Sequence, residues 1–401
     1  MNIKIILQRI ISEIKTYELN KNNIRDYNTW IFGEWFGNKC SDNVMAFANY
    51  VAEFGDNSLK LFWLCNAGID TSALHNRITV VERKSKKGIE LQKVAGVAVM
   101  NQGYDDFSDR SENYLGNAIT VNLWHGVMWK KIGFDSYPNN IVTKLYVSVV
   151  KKAKQYTYFA APSDEYLNIF SRAFALDKGR AIQTGLPRNE LFFDNRKVKG
   201  AREELVSYIK KEGIEIDDGV KIITYMPTFR DGTTEAFTFS DFQQEELNNF
   251  LQKNNSIIIQ KAHERNINKG AGYGSGADRR IINIDSILPQ KLLAATDILI
   301  TDYSSCFFDF LLLDRPIIQF IYDYDYYSTK DRGLYYSWEN VDCGNMIRKE
   351  SDLMAAIKKC VEHPEKDHDK RMIIKNRFMT YESPNNCQII YDKITQKAKT
   401  L

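Results

Sequence analysis

Two histidines, an arginine and a pair of serines stand where a phosphate-bearing substrate could be handled. Trp124-His125-Gly126 follows directly on the apolar run 119–123. A histidine just past a buried strand sits where a parallel sheet presents its ligand. Its imidazole, with a near-neutral pKa, can take the proton of an attacking hydroxyl. Gly126 permits close approach of substrate or an unusual backbone angle. Taken alone, His125 also fits a structural histidine capping a turn. Lys261-Ala262-His263-Glu264-Arg265 follows the apolar run 256–260 and gathers three side chains that can be cationic, as a diphosphate requires; an ordinary solvated charge cluster is the alternative. Pro227-Thr228-Phe229-Arg230-Asp231 follows the run 221–226, and Arg230 could fork onto phosphate oxygens. The sharpest signal is Ile300-Thr301-Asp302-Tyr303-Ser304-Ser305, leading into the apolar CFFDFLLLDRP. There a strand ends, two serines cap a helix, and the helix's free N–H groups and positive dipole end make an anion site. Asp309, one turn in, could accept from ribose hydroxyls or serve as a buried capping carboxylate.

These four clusters need strands that end beside one another. Residues 29–32, 59–64, 119–123 and 156–160 read as strands, with a helix over 42–54. The second half repeats the grammar: strands at 221–226, 256–260, 281–284, 297–300 and 316–321, with helices at 200–212, 242–253, 289–295, 304–313, 352–362 and 367–380. Strands alternating with helices imply βαβ units and parallel sheets. The expected fold is α/β, two doubly wound Rossmann-like domains facing across a cleft. An N-terminal helix would occupy 1–20, the first domain 21–195, and the second domain 196–401 with the closing helices. The glycine-dense segment 270–280 does not fit G-x-G-x-x-G and reads as a mobile loop, with a lid as the alternative.

Composition narrows the classes. With 401 residues, 44% of them hydrophobic, the chain exceeds what one core usually holds. Its 54 Lys+Arg against 51 Asp+Glu leave a formal charge of only +3, which does not suggest a nucleic-acid binder. Six cysteines scattered singly read as reduced thiols of a cytoplasmic protein. No apolar run approaches the roughly 18 to 20 residues of a membrane span. Ile3, Ile6, Leu7, Ile10 and Ile14 form a stripe flanked by Lys4, Arg9 and Lys15, so the first helix packs on its own domain or lies in a membrane interface. Zincin, P-loop and G-x-S-x-G hydrolase motifs are missing from the sequence.

At these residues the chain resembles the CDP-glycerol glycerophosphotransferase family of teichoic-acid and capsule synthesis. The matching pieces are LWHG with KKIGFD (123–135), APSDEY (161–166), TGLPRNELFF (184–193), YMPTFRDG (225–232), KAHERN (261–266), ITDYSSCFFDFLLLDRPII (300–318) and YDYDYYSTKDRGLYY (322–336). One departure is visible: Val127-Met128-Trp129 stand where small polar residues usually follow WHG, a difference that bears on acceptor preference.

The resemblance implies a GT-B architecture with His125 and His263 catalytic. It places Thr228, Arg230, Lys261, Ser304, Ser305, Asp309 and Arg188 on the donor, and Asp42, Asn43 and Lys130 on the acceptor. The implied reaction moves glycerol phosphate from CDP-glycerol to a hydroxyl of a teichoic-acid-like or capsular polymer, releasing CMP. The enzyme would be peripheral on the cytoplasmic face of the membrane, with a lipid-linked acceptor. No cofactor is implied beyond the donor, although its diphosphate could carry a magnesium ion. A CDP-ribitol donor, a glycosyltransferase and a nucleotide-sugar epimerase remain as alternatives. Chain length of the product and oligomeric state are left open.

Overall fold

The computed structural model describes every residue except 1–10, 12–13, 15–17, 19, 109–112, 137–140, 142, 145–146, 149–154, 229–236, 240–241, 243, 262–279 and 330–332. The chain divides into two compact units. The first comprises Met1–His125, Ile132–Glu190 and Thr380–Leu401, and the second Gly126–Lys131 and Leu191–Met379.

In the first unit, β1 (Asp26–Phe32), β2 (Lys60–Cys65), β3 (Ile78–Glu82), β4 (Ala95–Met100), β5 (Ile119–Asn122), β6 (Tyr158–Ala161) and β7 (Ala181–Gln183) build one sheet. Its order is β3-β2-β1-β4-β5-β6-β7, with parallel pairing throughout. The order reverses between β1 and β4, and a doubly wound sheet opens to ligands at the carboxyl ends of such strands. The helix Asn43–Phe54 covers one face by burying Val44, Phe47, Ala48, Val51 and Ala52, a one-sided stripe at helical spacing.

The second unit repeats the plan. Strands β8 (Lys221–Met226), β9 (Ser256–Gln260), β10 (Ile281–Asn283), β11 (Ile298–Thr301), β12 (Ile317–Phe320) and β13 (Met346–Ile347) lie in the order β10-β9-β8-β11-β12-β13, again parallel. β9, β11 and β12 are buried along their whole length, which is why they read as unbroken apolar runs. Here the switch point falls between β8 and β11.

The units divide after Glu190, where 195 was expected, and the chain's end does not stay with the second unit. It leaves the second unit, and the helix Asn386–Ala398 belongs to the first. Cys387, Ile390 and Ile394 enter the core with Trp30, Phe32 and Phe47, and the Tyr391 ring lies 5.8 Å from Trp30. Polar ties complete the return. Glu382 accepts from Leu186 N at 3.0 Å and Asn189 Nδ2 at 2.8 Å, and Asn386 Oδ1 accepts from Gly185 N at 3.2 Å. Among the described residues no helix is long and apolar enough to cross a membrane. Most of the expected helix at 1–20 lies outside the described residues.

Candidate active site

In the first unit β1 and β4 end side by side, and each delivers a loop to His125. After β1, the wholly buried Glu34 carboxylate accepts from the backbone N–H groups of Ser41, Asp42 (3.0 Å) and Met45 (3.4 Å). Burial, reinforced by the neighbouring Asp42 charge, holds the Glu34 carboxyl well above its ordinary pKa. Asp42 caps the helix Asn43–Phe54 through Oδ1, which accepts from Asn43 N at 2.7 Å. The same oxygen accepts from Arg188 Nη1 at 2.7 Å, while Oδ2 takes the Trp35 indole N–H at 2.9 Å. Asn43 Nδ2 donates to Trp124 O at 2.9 Å, and its Oδ1 accepts from Arg188 N at 3.2 Å.

His125 is thereby framed. The Trp35 ring centroid lies 5.0 Å from the imidazole and that of Trp124 4.1 Å, while the Gln102 side-chain amide stands 3.1 Å from Nδ1. Three non-glycine residues around the ring adopt left-handed backbone: Trp35 (φ 51), Phe36 (φ 59) and Trp124 (φ 50). Each such residue costs on the order of 1–3 kcal/mol and persists only where its surroundings over-determine it. The surroundings do so here. Asn101 Oδ1 accepts from Trp35 N at 2.9 Å, Asp106 Oδ1 from Phe36 N at 2.7 Å, and Asn122 Oδ1 from Trp124 N at 2.8 Å. Asp106 Oδ2 also accepts from Asn101 N and Gln102 N, both at 2.8 Å. Burial lifts Asp106 to a pKa of about 7.

Several expected roles look different in place. Asp42 and Asn43, expected to meet an acceptor, are 4% and 0% exposed. Their side chains brace Trp35, Arg188 and the backbone beside His125. Arg188, expected on the donor, belongs to the first unit and pairs with Asp42. Glu34, Asn101, Gln102 and Asp106 had no expected role. The signal for them lies at β4, whose Ala-Gly-Val-Ala-Val-Met run follows a helix without a break and so has no boundary of its own in the sequence.

In the second unit β8 and β11 also end as neighbours. Thr301 Oγ1 donates to Met226 O at 2.6 Å, and Thr228 N donates to Asp302 Oδ1 at 2.7 Å. Ser304 and Ser305 then lead into a helix, Cys306–Phe310, shorter than expected because Leu311–Leu313 continues as 3₁₀. Ser305 is the N-cap but makes no side-chain cap; Ser304 Oγ accepts from Cys306 N at 3.4 Å. Asp309 is fully buried and accepts from Gln290 Nε2 at 3.1 Å. Lys261 Nζ donates to Asp285 O at 3.0 Å and Ile287 O at 2.8 Å, so the ammonium braces the turn before the helix Pro289–Ala295. Arg230, His263 and most of the segment 270–280 lie outside the described residues.

The segment Gly126–Lys131 packs within the second unit. Trp129 is 1% exposed; its ring lies 5.4 Å from Tyr303 and 5.8 Å from Phe307, and its Nε1 donates to Tyr336 O at 2.9 Å. Lys130, expected at the acceptor, forms an antiparallel bridge with Leu334 and lies 5.9 Å over the Tyr327 ring. Val127, Met128 and Trp129, which form the departure noted in the sequence, are all buried.

The chain is similar to proteins of known role along nearly its whole length. It is 26% identical over 376 residues to the teichoic acid glycerol-phosphate transferase of Staphylococcus aureus, covering 91% of this chain and 93% of that one. It is 28% identical over 340 residues to the teichoic acid poly(glycerol phosphate) polymerase of Bacillus subtilis, covering 82% of this chain but only 43% of that protein. Its fold matches the solved structure of the wall teichoic acid polymerase TagF with a TM-score of 0.78 at 22% identity, over 99% of this chain and 95% of that chain. That match bears out the GT-B type α/β fold. Residues 15–396 match one sequence family, and the chain belongs to it: the CDP-Glycerol:Poly(glycerophosphate) glycerophosphotransferases.

Proposed function

We propose that this protein transfers glycerol phosphate from CDP-glycerol to a terminal hydroxyl of a teichoic-acid-type polymer, releasing CMP. What carries the reading is the family match over residues 15–396 together with an imidazole framed at the carboxyl end of β5. His125 takes the proton of the acceptor hydroxyl. The freed oxygen attacks the β-phosphorus in line, and the bond to the bridging oxygen breaks as CMP leaves. Such a transfer needs chiefly positioning and electrostatic stabilisation, with no covalent enzyme intermediate. The donor phosphates fall to Arg230, His263 and the N–H groups around Ser304 and Ser305, with Thr228, whose N–H Asp302 holds. The acceptor is lipid-linked, and the protein works at the cytoplasmic face of the membrane as a peripheral enzyme.

The test is incubation of the protein with a teichoic-acid acceptor and radiolabelled CDP-glycerol, CDP-ribitol or UDP-sugars. Label entering polymer from CDP-glycerol, with stoichiometric CMP, is the expected result. Label entering only from CDP-ribitol moves the assignment to ribitol phosphate. Incorporation only from a UDP-sugar, or epimerisation of the sugar without transfer, overturns the proposal.

A further inference from the structure

Gln102 has a defined place beside His125 that no step above uses. Its backbone is fixed at both ends of the residue: its N–H donates to Asp106 Oδ2 at 2.8 Å, and Gly103 follows at φ 103. A side chain at Gly103 would meet the Tyr156 hydroxyl at 2.7 Å, so the turn after β4 requires glycine there. The Gln102 amide nitrogen, Nε2, then stands 3.1 Å from His125 Nδ1. A half-turn of that amide exchanges oxygen for nitrogen at the same place.

We propose that Gln102 is the positioning residue for His125, an assignment that rests on His125 being the base. Its side-chain oxygen accepts from Nδ1–H, holds the neutral imidazole in that tautomer, and assigns proton transfer to Nε2. The chemistry selects this orientation. Were the amide nitrogen to face Nδ1, the neutral ring would carry its proton on Nε2, and neither nitrogen could take the acceptor's proton. With oxygen facing Nδ1–H, the acceptor's O–H bond breaks toward Nε2. The oxygen's electron pair forms the bond to phosphorus, and the bridging P–O pair leaves on CMP. Partners that fix the tautomer of a metal-bound histidine typically contribute about 10–100-fold, and the same scale is expected here. An amide does so without adding charge.

The placement has one further anchor. Asp106 accepts from Phe36 N as well as from Asn101 N and Gln102 N. One carboxylate thus holds both the loop that carries the Trp35 ring and the loop that carries the Gln102 amide, two groups that lie close to the imidazole.

Histidine-selective ¹⁵N labelling of the whole chain, with His125→Ala to assign the signal, reads the tautomer directly. Nδ1 of neutral His125 is expected to be protonated and Nε2 bare. In Gln102→Ala the two tautomers should mix, kcat should fall about 10–100-fold, and KM for CDP-glycerol should change by less than about twofold. Gln102→Glu, which can only accept when ionised, should restore most of kcat. It should also move the acidic limb of the pH–rate profile upward by about one unit, the effect of an opposite charge beside an imidazole. A bare Nδ1 in the unsubstituted protein overturns the proposal. So does a Gln102→Ala enzyme with unchanged kcat and an unchanged acidic limb. Wild-type turnover by His125→Ala would remove the base assignment instead, a result the tautomer measurement does not depend on.

Discussion

Arg188 Nη1 donates to Asp42 Oδ1 at 2.7 Å, and the two side chains are only 12% and 6% exposed. This pair joins the segment after β7 to the N-terminus of the helix Asn43–Phe54, one residue from the Asn43 side chain that holds Trp124. Removing one member leaves the other buried without its partner, and buried pairs broken in this way typically cost about 3–5 kcal/mol. Arg188→Ala should lower the urea midpoint of the first unit accordingly. Arg188→Met with Asp42→Asn should recover part of that loss, because no charge is then stranded. Equal stability of Arg188→Ala and the unsubstituted chain would show that the pair contributes nothing.

His125→Ala should lower turnover by about 10²–10⁴-fold, the usual contribution of a general base. CDP-glycerol affinity, measured by calorimetry, should stay nearly unchanged, since the donor groups belong to other residues. His263→Ala and Arg230→Ala should do the reverse and weaken donor binding first. If His125→Ala loses donor binding while the chemistry of bound donor persists, the division of roles is wrong.

Much of the arrangement was legible because it rests on strong local signals. Runs of β-branched residues such as Ile222–Ile223 and Ile257–Ile259 must be buried on both faces, and a parallel sheet provides that. His125 and Ser304 were legible because each stands a few residues past the end of a buried strand. The supporting carboxylates were not. Glu34 and Asp106 act by accepting backbone N–H groups from residues several positions away, a relation that composition does not encode. Asp42, Asn43 and Arg188 stood out by motif, but which way their side chains turn is decided by tertiary packing. The place of the final helix is not legible locally, because its core partners, Trp30 and Phe47 among them, lie at the opposite end of the sequence.

Asp106 gives the first unit a pH dependence with a definite sign. Burial raises its pKa from 3.8 to about 7, so the folded state holds the proton more tightly than the unfolded chain. The resulting stabilisation is fully present below about pH 3.8 and is lost as pH rises through 7. In that window the slope attributable to this group is on the order of 1.4 kcal/mol per pH unit at most. Glu34 is raised for the same reason and contributes with the same sign, so comparison with Asp106→Asn isolates the one group. The stability of the unsubstituted chain relative to Asp106→Asn should shrink between pH 5 and pH 8, as read from urea unfolding at each pH. A constant difference across that range would contradict a proton held at Asp106.

Trp129 tests whether the Val127-Met128-Trp129 departure is packing or acceptor recognition. Its ring is buried against Tyr303 and Phe307, and its indole N–H is satisfied by Tyr336 O. Tyr303 in turn stacks on Tyr327 at 4.1 Å and donates to Asp323 Oδ1 at 3.2 Å, directly before Ser304 in the chain. Trp129→Ala therefore opens a cavity beneath the turn that presents the two serines. Truncating a buried tryptophan typically costs about 3–5 kcal/mol. Trp129→Phe keeps most of the ring volume and loses the hydrogen bond to Tyr336 O, so it should cost far less. If the tryptophan served acceptor recognition, both variants would raise KM for the acceptor with stability intact. Packing predicts the opposite: a lowered melting temperature for Trp129→Ala, weakened donor binding through the loosened Tyr303-Ser304-Ser305 turn, and an acceptor KM that Trp129→Phe leaves unchanged.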